Sequence, residues 1–188
     1  FRDISKEEEF RILQEKFNEV VKKYISTATF DEVMGQLQGS TGKASIKDLS
    51  VLYLDVVNFT GFSESHSPEE TAKMLNDLFG ICEVITKECH GDIDKFIGDA
   101  VMAVFIDAND AVLAGMKVLK ALAEFNKTRA REGREETQIR IGINSGLVIQ
   151  GEIGTAERKD VTVIGDVVNT ASRIESVTDA MCMCISEA

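Results

Sequence analysis

Most of what would mark a zinc site, a membrane span or a nucleic-acid surface is missing from this sequence. Its four cysteines, Cys82, Cys89, Cys182 and Cys184, form no CxxC pair, and its two histidines, His66 and His90, stand in no zinc-type spacing. They read as reduced thiols and ordinary histidines. No apolar run approaches the roughly 20 residues a membrane span needs, and no signal-peptide pattern opens the chain. The expectation is therefore a cytoplasmic protein, or the cytoplasmic domain of a membrane-attached one, and the opening Phe1 in place of methionine points to a piece of something longer. Basic residues are scarce: 21 lysines and arginines against 32 acidic residues give a formal charge of −11. That balance argues against a nucleic-acid partner and against binding to anionic lipid, and a polyanionic ligand would need metal ions or a local basic cluster. Tryptophan is absent and proline occurs once, at Pro68.

What remains, 188 residues with 44% hydrophobic side chains, suffices for one sizeable core and a short appendage. The appendage spans residues 1–38. Phe10, Leu13, Phe17, Val20 and Tyr24 recur there at spacings of three and four, which fits a short coiled-coil seam or an amphipathic helix lying on its own domain. TFDE reads as a helix opening capped by Thr29, with Glu32 completing the box. The stretch from Gly39 to Asp48 reads as a loop leading into a catalytic body of residues 39–188.

Beyond that loop the pattern is regular. LSVLYLDV is a buried strand ending at Asp55, and NFTGFSES reads as a polar turn. Ser67, Pro68 and Glu70 form a helix opening, and the helix runs until Gly91. DIDKFIGDAVMAVF is a hairpin bent at Gly98-Asp99, and a second helix opens at Asn109 or Asp110. IRIGINSGLVIQGEIG reads as a strand pair turning near Ser145-Gly146, and DVTVIGDVVNTASRIESV as strand, glycine corner and helix. This order fits an α+β fold with a ferredoxin-like βαββαβ core, an antiparallel-rich sheet flanked by helices; periodicity alone does not separate it from a doubly wound sheet.

Chemistry gathers at the strand ends. Asp55 and Asp99 sit where rigid strands stop, so their carboxylates can converge on one point. Two carboxylates and a backbone carbonyl suit Mg²⁺, which keeps waters and phosphate oxygens among its ligands, although aspartate at either position alone is also an ordinary turn residue. NFTGFSES offers free backbone N–H groups for phosphate through Phe59, Thr60 and Gly61, without the spacing of a P-loop. Asn169 and Arg173, four apart, share a helix face; Arg173 would stabilise charge on a phosphoryl group and Asn169 would orient a sugar oxygen, unless the helix is a plain amphipathic one with a surface arginine.

In combination, the chain from about Asp48 to Glu187 resembles the catalytic domain of class III nucleotidyl cyclases, the adenylyl and guanylyl cyclases. LYLDVVNFTGFSE is similar to the family's first metal motif, KFIGDAVMAVF to its second, IRIGINSGLVIQGEIG to its central strands, and DVTVIGDVVNTASRIE to its base-and-ribose motif. The resemblance implies that Asp55, Asp99 and the carbonyl of Val56 ligate two Mg²⁺ or Mn²⁺ ions. It implies that Lys95 and Thr162 read the purine, Asn169 positions the ribose and Arg173 stabilises the transition state. It also implies a homodimer in which each site takes its acids from one subunit and its base, ribose and arginine groups from the other. A further strand and a phosphate-binding lysine are expected downstream of ISEA, and KKYISTATFDEVM resembles the segment that commonly precedes bacterial cyclase domains; a parallel seam through Phe10, Leu13, Phe17, Val20 and Tyr24 would carry the signal of an upstream sensor.

The purine question turns on donors. Adenine offers an acceptor at N1, where guanine offers a donor, and a lysine ammonium only donates. Lys95 therefore suits ATP, while Thr162, able to donate or accept, discriminates little. Guanylyl cyclases of this family place glutamate and cysteine at these positions. The threonine departs from the mammalian-type aspartate and is similar to a bacterial subset with some bicarbonate-responsive members. The expected function is an adenylyl cyclase that makes 3′,5′-cyclic AMP and pyrophosphate from ATP as a signalling output domain; the alternatives are a guanylyl cyclase and a catalytically silent nucleotide-binding or dimerisation module.

Overall fold

The computed structural model describes residues 4–37, 44–155, 157 and 159–187. They divide into two units: residues up to 43 together with 151–162, and residues 44–150 together with 163–188. The break expected between residues 38 and 39 lies outside the described residues.

The smaller unit contains α1 (Ile4–Val21) and α2 (Thr27–Leu37). On α1 the spaced apolar residues stay in solvent: Phe10, Leu13, Phe17 and Val20 are 52% to 67% exposed, and Tyr24 lies beyond the helix end. Phe30 on α2 is buried, with the Lys22 ammonium 4.6 Å above its ring. The cap differs from expectation. Ser26, not Thr29, begins α2, because its hydroxyl accepts from the Thr29 N–H at 3.2 Å and leaves Thr29 inside the first turn.

The remaining elements are β1 (Ser45–Val56), α3 (Phe59–Ser65), α4 (Pro68–Glu88), β2 (Asp92–Ile97), β3 (Ala100–Phe105), α5 (Ala108–Arg131), β4 (Ile139–Gly154), β5 (Lys159–Ile164), α6 (Asp166–Val177) and β6 (Met183–Ile185); all belong to the larger unit except β4 beyond Gln150 and β5 up to Thr162, which belong to the smaller. The strands order as β2-β3-β1-β4-β5, with β6 parallel beside β4 and the β2-β3-β1-β4 ladders antiparallel. The run β1-α4-β2-β3-α5-β4 is the βαββαβ core read from the sequence. Alternation along β1 feeds two cores. Leu52, Leu54 and Val56 join Leu78, Val101, Leu122 and Ile141 on the face covered by α4 and α5. Leu49 and Val51 join Met102, Val148 and Ala171 on the face covered by α6.

Several local expectations are corrected. β1 begins at Ser45, inside the stretch read as loop, because a backbone ladder to β4 carries it although Ser45 to Asp48 bury no side chain. NFTGFSES is not a turn but helix α3, anchored by Phe59 and Phe62 on the core, and its serines donate to carbonyls three and four residues back. No turn interrupts β4: its register with β1 runs unbroken from Val56↔Ile139 to Ser45↔Gln150. Gly146, at φ 146°, takes a conformation only glycine adopts readily, which lets the strand continue where Ser145-Gly146 reads as a corner. α5 starts earlier than expected, capped by Asp107, whose carboxylate accepts from the Asn109 N–H at 2.8 Å. The Ser67–Glu70 capping box and the hairpin bend at Gly98-Asp99 are as the sequence indicates. Among the described residues no helix is long and apolar enough to cross a membrane, and all four cysteines are free.

One close approach fixes α6 against the sheet. A Cβ added to Gly142 on β4 would lie 2.2 Å from the Glu175 nitrogen and 2.4 Å from the Ala171 carbonyl oxygen, so helix and strand meet backbone to backbone. Asn144 donates to the Val167 carbonyl at 3.1 Å and pins the first turn of the same helix. Gly142→Ala must push α6 off the sheet and is expected to cost about 3 kcal/mol, the upper range for overpacking. Urea unfolding of the variant against wild type measures it.

Candidate active site

The strand that ends at Asp55 and the hairpin that bends at Gly98-Asp99 are neighbours through the β1–β3 ladder. Their corners bring Asp55 and Asp99 together, near enough for the charge of Asp55 to act on the Asp99 carboxyl. Burial, and next the charge of Asp55, hold the Asp99 carboxyl above its ordinary value of 3.8, while the backbone N–H groups of Asp99 itself and Val56 pull the other way. Val56 is thus at the pair, buried and held by the ladder to β4. No group of three or more metal-ligating side chains occurs among the described residues. The donor set is two carboxylates with nearby backbone, which fits hard, partly hydrated Mg²⁺ or Mn²⁺ rather than an all-protein cage.

Two further residues belong to this cluster and escaped the sequence reading. Arg140 stands directly opposite Asp55 in the β1–β4 register, and its Nη2 donates to Asp55 Oδ2 at 3.1 Å. Its Nε meets Glu175 Oε1 on α6 at 2.5 Å, an ion pair without hydrogen-bond alignment. The Asp55 hydrogen bond chiefly, with Glu175, raises the Arg140 pKa, whereas burial and then Asp55 raise that of Glu175 against the pull of Arg140. A signal for Arg140 existed. Ile139, Ile141 and Ile143 point into the core beneath α4 and α5, so the residue between the first two must face the side of Asp55.

The helix start after Asp55 supplies the segment expected to meet phosphate. Asn58 precedes α3 in the left-handed region, at φ 57°, and its side chain lies over Gly61, where an added Cβ would come within 2.7 Å of the Asn58 amide and displace it. Thr60 is exposed, whereas the Phe59 ring packs on the core and leaves only its backbone to contribute.

The purine-reading candidate Lys95 lies on β2 beside a register shift at Ile93/Lys95. Its ammonium sits 3.8 Å from the buried carboxylate of Asp94. Thr162 is buried on β5, in the smaller unit. Asn169 and Arg173 are both exposed on α6, and no hydrogen bond or ion pair joins either to the acids among the described residues. Ala171 and Glu175 on the same helix are buried against β4. At 100° per residue, positions two apart are separated by about 200°, so Asn169 and Arg173 face away from their own sheet.

The raised Asp99 carboxyl has a thermodynamic consequence. Between 3.8 and its raised value the folded chain keeps a proton that the unfolded chain has released, so this group's stabilising contribution, complete below 3.8, is lost as pH rises through that window. In EDTA the stability difference between wild type and Asp99→Asn should therefore shift against wild type across that window. Thermal unfolding at a series of pH values checks the slope, and a difference independent of pH would contradict it.

With this geometry, the likeness to known proteins is specific. The family model for the adenylate and guanylate cyclase catalytic domain matches residues 42–188. The chain is 40% identical over 143 residues to an adenylate cyclase of Anabaena cylindrica, covering 73% of this chain and 28% of that protein. It is 32% identical over 138 residues to adenylate cyclase 1 of Rhizobium meliloti, 70% of this chain and 21% of that one. The chain therefore spans less than a third of these curated relatives. Among solved structures, the adenylyl cyclase CyaB from P. aeruginosa superposes with a TM-score of 0.74 at 34% identity, covering 77% of this chain and 79% of that chain. The guanylyl cyclase Cya2 does so at 0.71 and 34%, covering 76% of each. The acid corners, the βαββαβ sheet and the match over residues 42–188 converge on one conclusion: the chain belongs to the adenylate and guanylate cyclase catalytic domain family.

Proposed function

We propose that the chain cyclises ATP to 3′,5′-cyclic AMP and pyrophosphate, at sites shared between two copies of itself. The observation that carries the reading is the meeting of Asp55 and Asp99, two carboxylates from separate chain segments held together at the rigid ends of core strands. Asp55 and Asp99, with the Val56 carbonyl, would hold two Mg²⁺ or Mn²⁺ ions. Bound there, such ions supply the positive charge that acidifies the ribose 3′-hydroxyl and offsets the triphosphate.

The protein's own groups do the rest. The amides of Phe59, Thr60 and Gly61 are available to phosphate oxygens. Lys95 donates to adenine N1 and Thr162 accepts from the 6-amino group. Asn169 orients the ribose so that its 3′-oxygen lies in line with the α-phosphorus. The new P–O bond forms as pyrophosphate leaves, Arg173 balances the charge in transit, and the hydroxyl proton passes to water or a phosphate oxygen. The outward face of Asn169 and Arg173 supports a second copy as recipient, since neither residue turns toward the acids of its own chain.

ATP is preferred over GTP in this reading because Lys95 presents donors only. Similarity alone does not separate the two substrates, for an adenylyl and a guanylyl cyclase structure are equally identical to this chain at 34%. The exposed seam of α1 would pair in parallel with its twin and carry a signal from an upstream sensor, on the cytoplasmic side where ATP is found.

Assays with ATP and GTP, in Mg²⁺ or Mn²⁺ and over a dilution series, test the proposal. Cyclic AMP formation should dominate and its specific rate should fall on dilution. A dominant cyclic GMP product would establish the guanylyl alternative, and nucleotide binding without any cyclic product would establish a silent module. Asp55→Asn should abolish turnover. Lys95→Glu should lower kcat/KM for ATP by about tenfold or more, since removing a donor to a buried acceptor costs about 1–3 kcal/mol.

A further inference from the structure

Glu175 has no part in the chemistry above, yet it is among the most deeply held charged groups of the larger unit, 6% exposed with its backbone against Gly142. A buried ion pair is weak support for stability, because a well-packed apolar residue of similar volume commonly does as well or better. The position of Glu175 is therefore better explained by what it does to Arg140. Three contacts fix that guanidinium: Nη2 to Asp55 at 3.1 Å, Nε to Glu175 at 2.5 Å, and Nη1 to the Ser176 carbonyl at 3.5 Å. Two of the three anchors lie on α6 and one on β1.

We propose that Glu175 is a positioning residue: through Arg140 it sets the orientation and net charge of the Asp55–Asp99 pair of its own chain. The inference rests on the shared-site reading above and adds a direction to it. On one helix, Asn169 and Arg173 face outward to serve a second copy, while Glu175 faces inward to serve the acids of the chain that carries it. With all four groups ionised, Asp55, Asp99, Arg140 and Glu175 leave two net negative charges, matched to a divalent cation. Without Glu175 only one remains, and Arg140 is free to turn wholly onto Asp55. Arg140 is the intermediary because it alone touches both; no hydrogen bond or ion pair links Glu175 to either acid directly among the described residues.

Mixing two inactive variants of the whole chain tests the direction. Asp55→Asn and Arg173→Ala chains, each idle alone, should regain activity together through the one site that takes its acids from the Arg173→Ala chain. Adding Glu175→Gln to that acid-donating chain should lower the regained rate about tenfold, the order expected for one charge lost near a desolvated cation site. Adding it to the Asp55→Asn chain, whose acids are already idle, should leave the rate within about twofold. Equal losses in both arrangements, or a loss in the second alone, would overturn the proposal. A second measurement needs no turnover and no dimer: Mn²⁺ alone, titrated by paramagnetic resonance, should bind Glu175→Gln about tenfold more weakly than wild type, with Glu175→Asp between them. Unchanged Mn²⁺ affinity in a folded Glu175→Gln chain would overturn it as well. Failure of the first two variants to complement while both remain folded would instead count against the shared site, leaving the Mn²⁺ titration to decide the role of Glu175.

Discussion

Two carboxylates do not stay together without help. The mutual repulsion of Asp55 and Asp99 is the constraint around which the larger unit is organised, and the fold meets it with rigidity and with compensating charge. Rigidity comes from the strands: Asp55 is paired with Arg140 in the ladder to β4, one residue beyond the end of the ladder to β3 at Leu54, and Asp99 sits in a tight hairpin whose Gly98 takes φ 64°. Charge comes from Arg140, which an antiparallel register sets directly across from Asp55. Opposite charges at facing positions of a ladder are the sheet's own way to hold a pair, and here the pair is extended by Glu175 from the layer above. In the proposed function, the negative charge that Arg140 leaves uncompensated is what would hold a cation there.

The extension to Glu175 depends on how closely α6 approaches. Gly142 removes the side chain that would hold helix and sheet apart, and Ala171 presents a small residue from the helix side. A helix set this close is a lever with little play. Its inner face reaches the acid site through Arg140, while its outer face carries Asn169 and Arg173. A displacement of α6 would therefore alter acids and outward groups together, which in the proposed mechanism would couple the two sets of groups within one chain.

How far this was legible in the sequence depends on the kind of signal. The acids were readable because strand ends and hairpin corners are marked by local pattern: an apolar run that stops at Asp55, and a glycine followed by Asp99 between two apolar arms. The βαββαβ order was readable for the same reason. α3 was hidden because its glycine and serines carry turn chemistry, and the decisive information, Phe59 and Phe62 packing on a core, is tertiary. β4 was read as two strands because Ser145-Gly146 looks like a corner; only the twelve-residue partnership with β1, with Ser50 and Ser145 hydroxyls 2.7 Å apart across it, carries the strand through. Arg140 and Glu175 were missed because each looks ordinary in its own element. Their meaning lies in a register and a helix docking that no local window contains.

The two faces of α6 bear on why a cyclase domain of this build would need a partner at all. A helix of twelve residues offers one side to its own sheet, and that side is committed by Gly142, Ala171 and Glu175. Residues meant to meet a nucleotide above the acids of the same chain would have to share that committed side, where helix and strand meet backbone to backbone at Gly142. Turned outward, Asn169 and Arg173 are accessible but removed from their own acids. In the proposed mechanism, the close packing that lets Glu175 reach Arg140 is thus the same feature that would deny the chain a complete site of its own. Dimerisation in the proposed mechanism follows from that trade, independently of any apolar surface that happens to hold the two copies together.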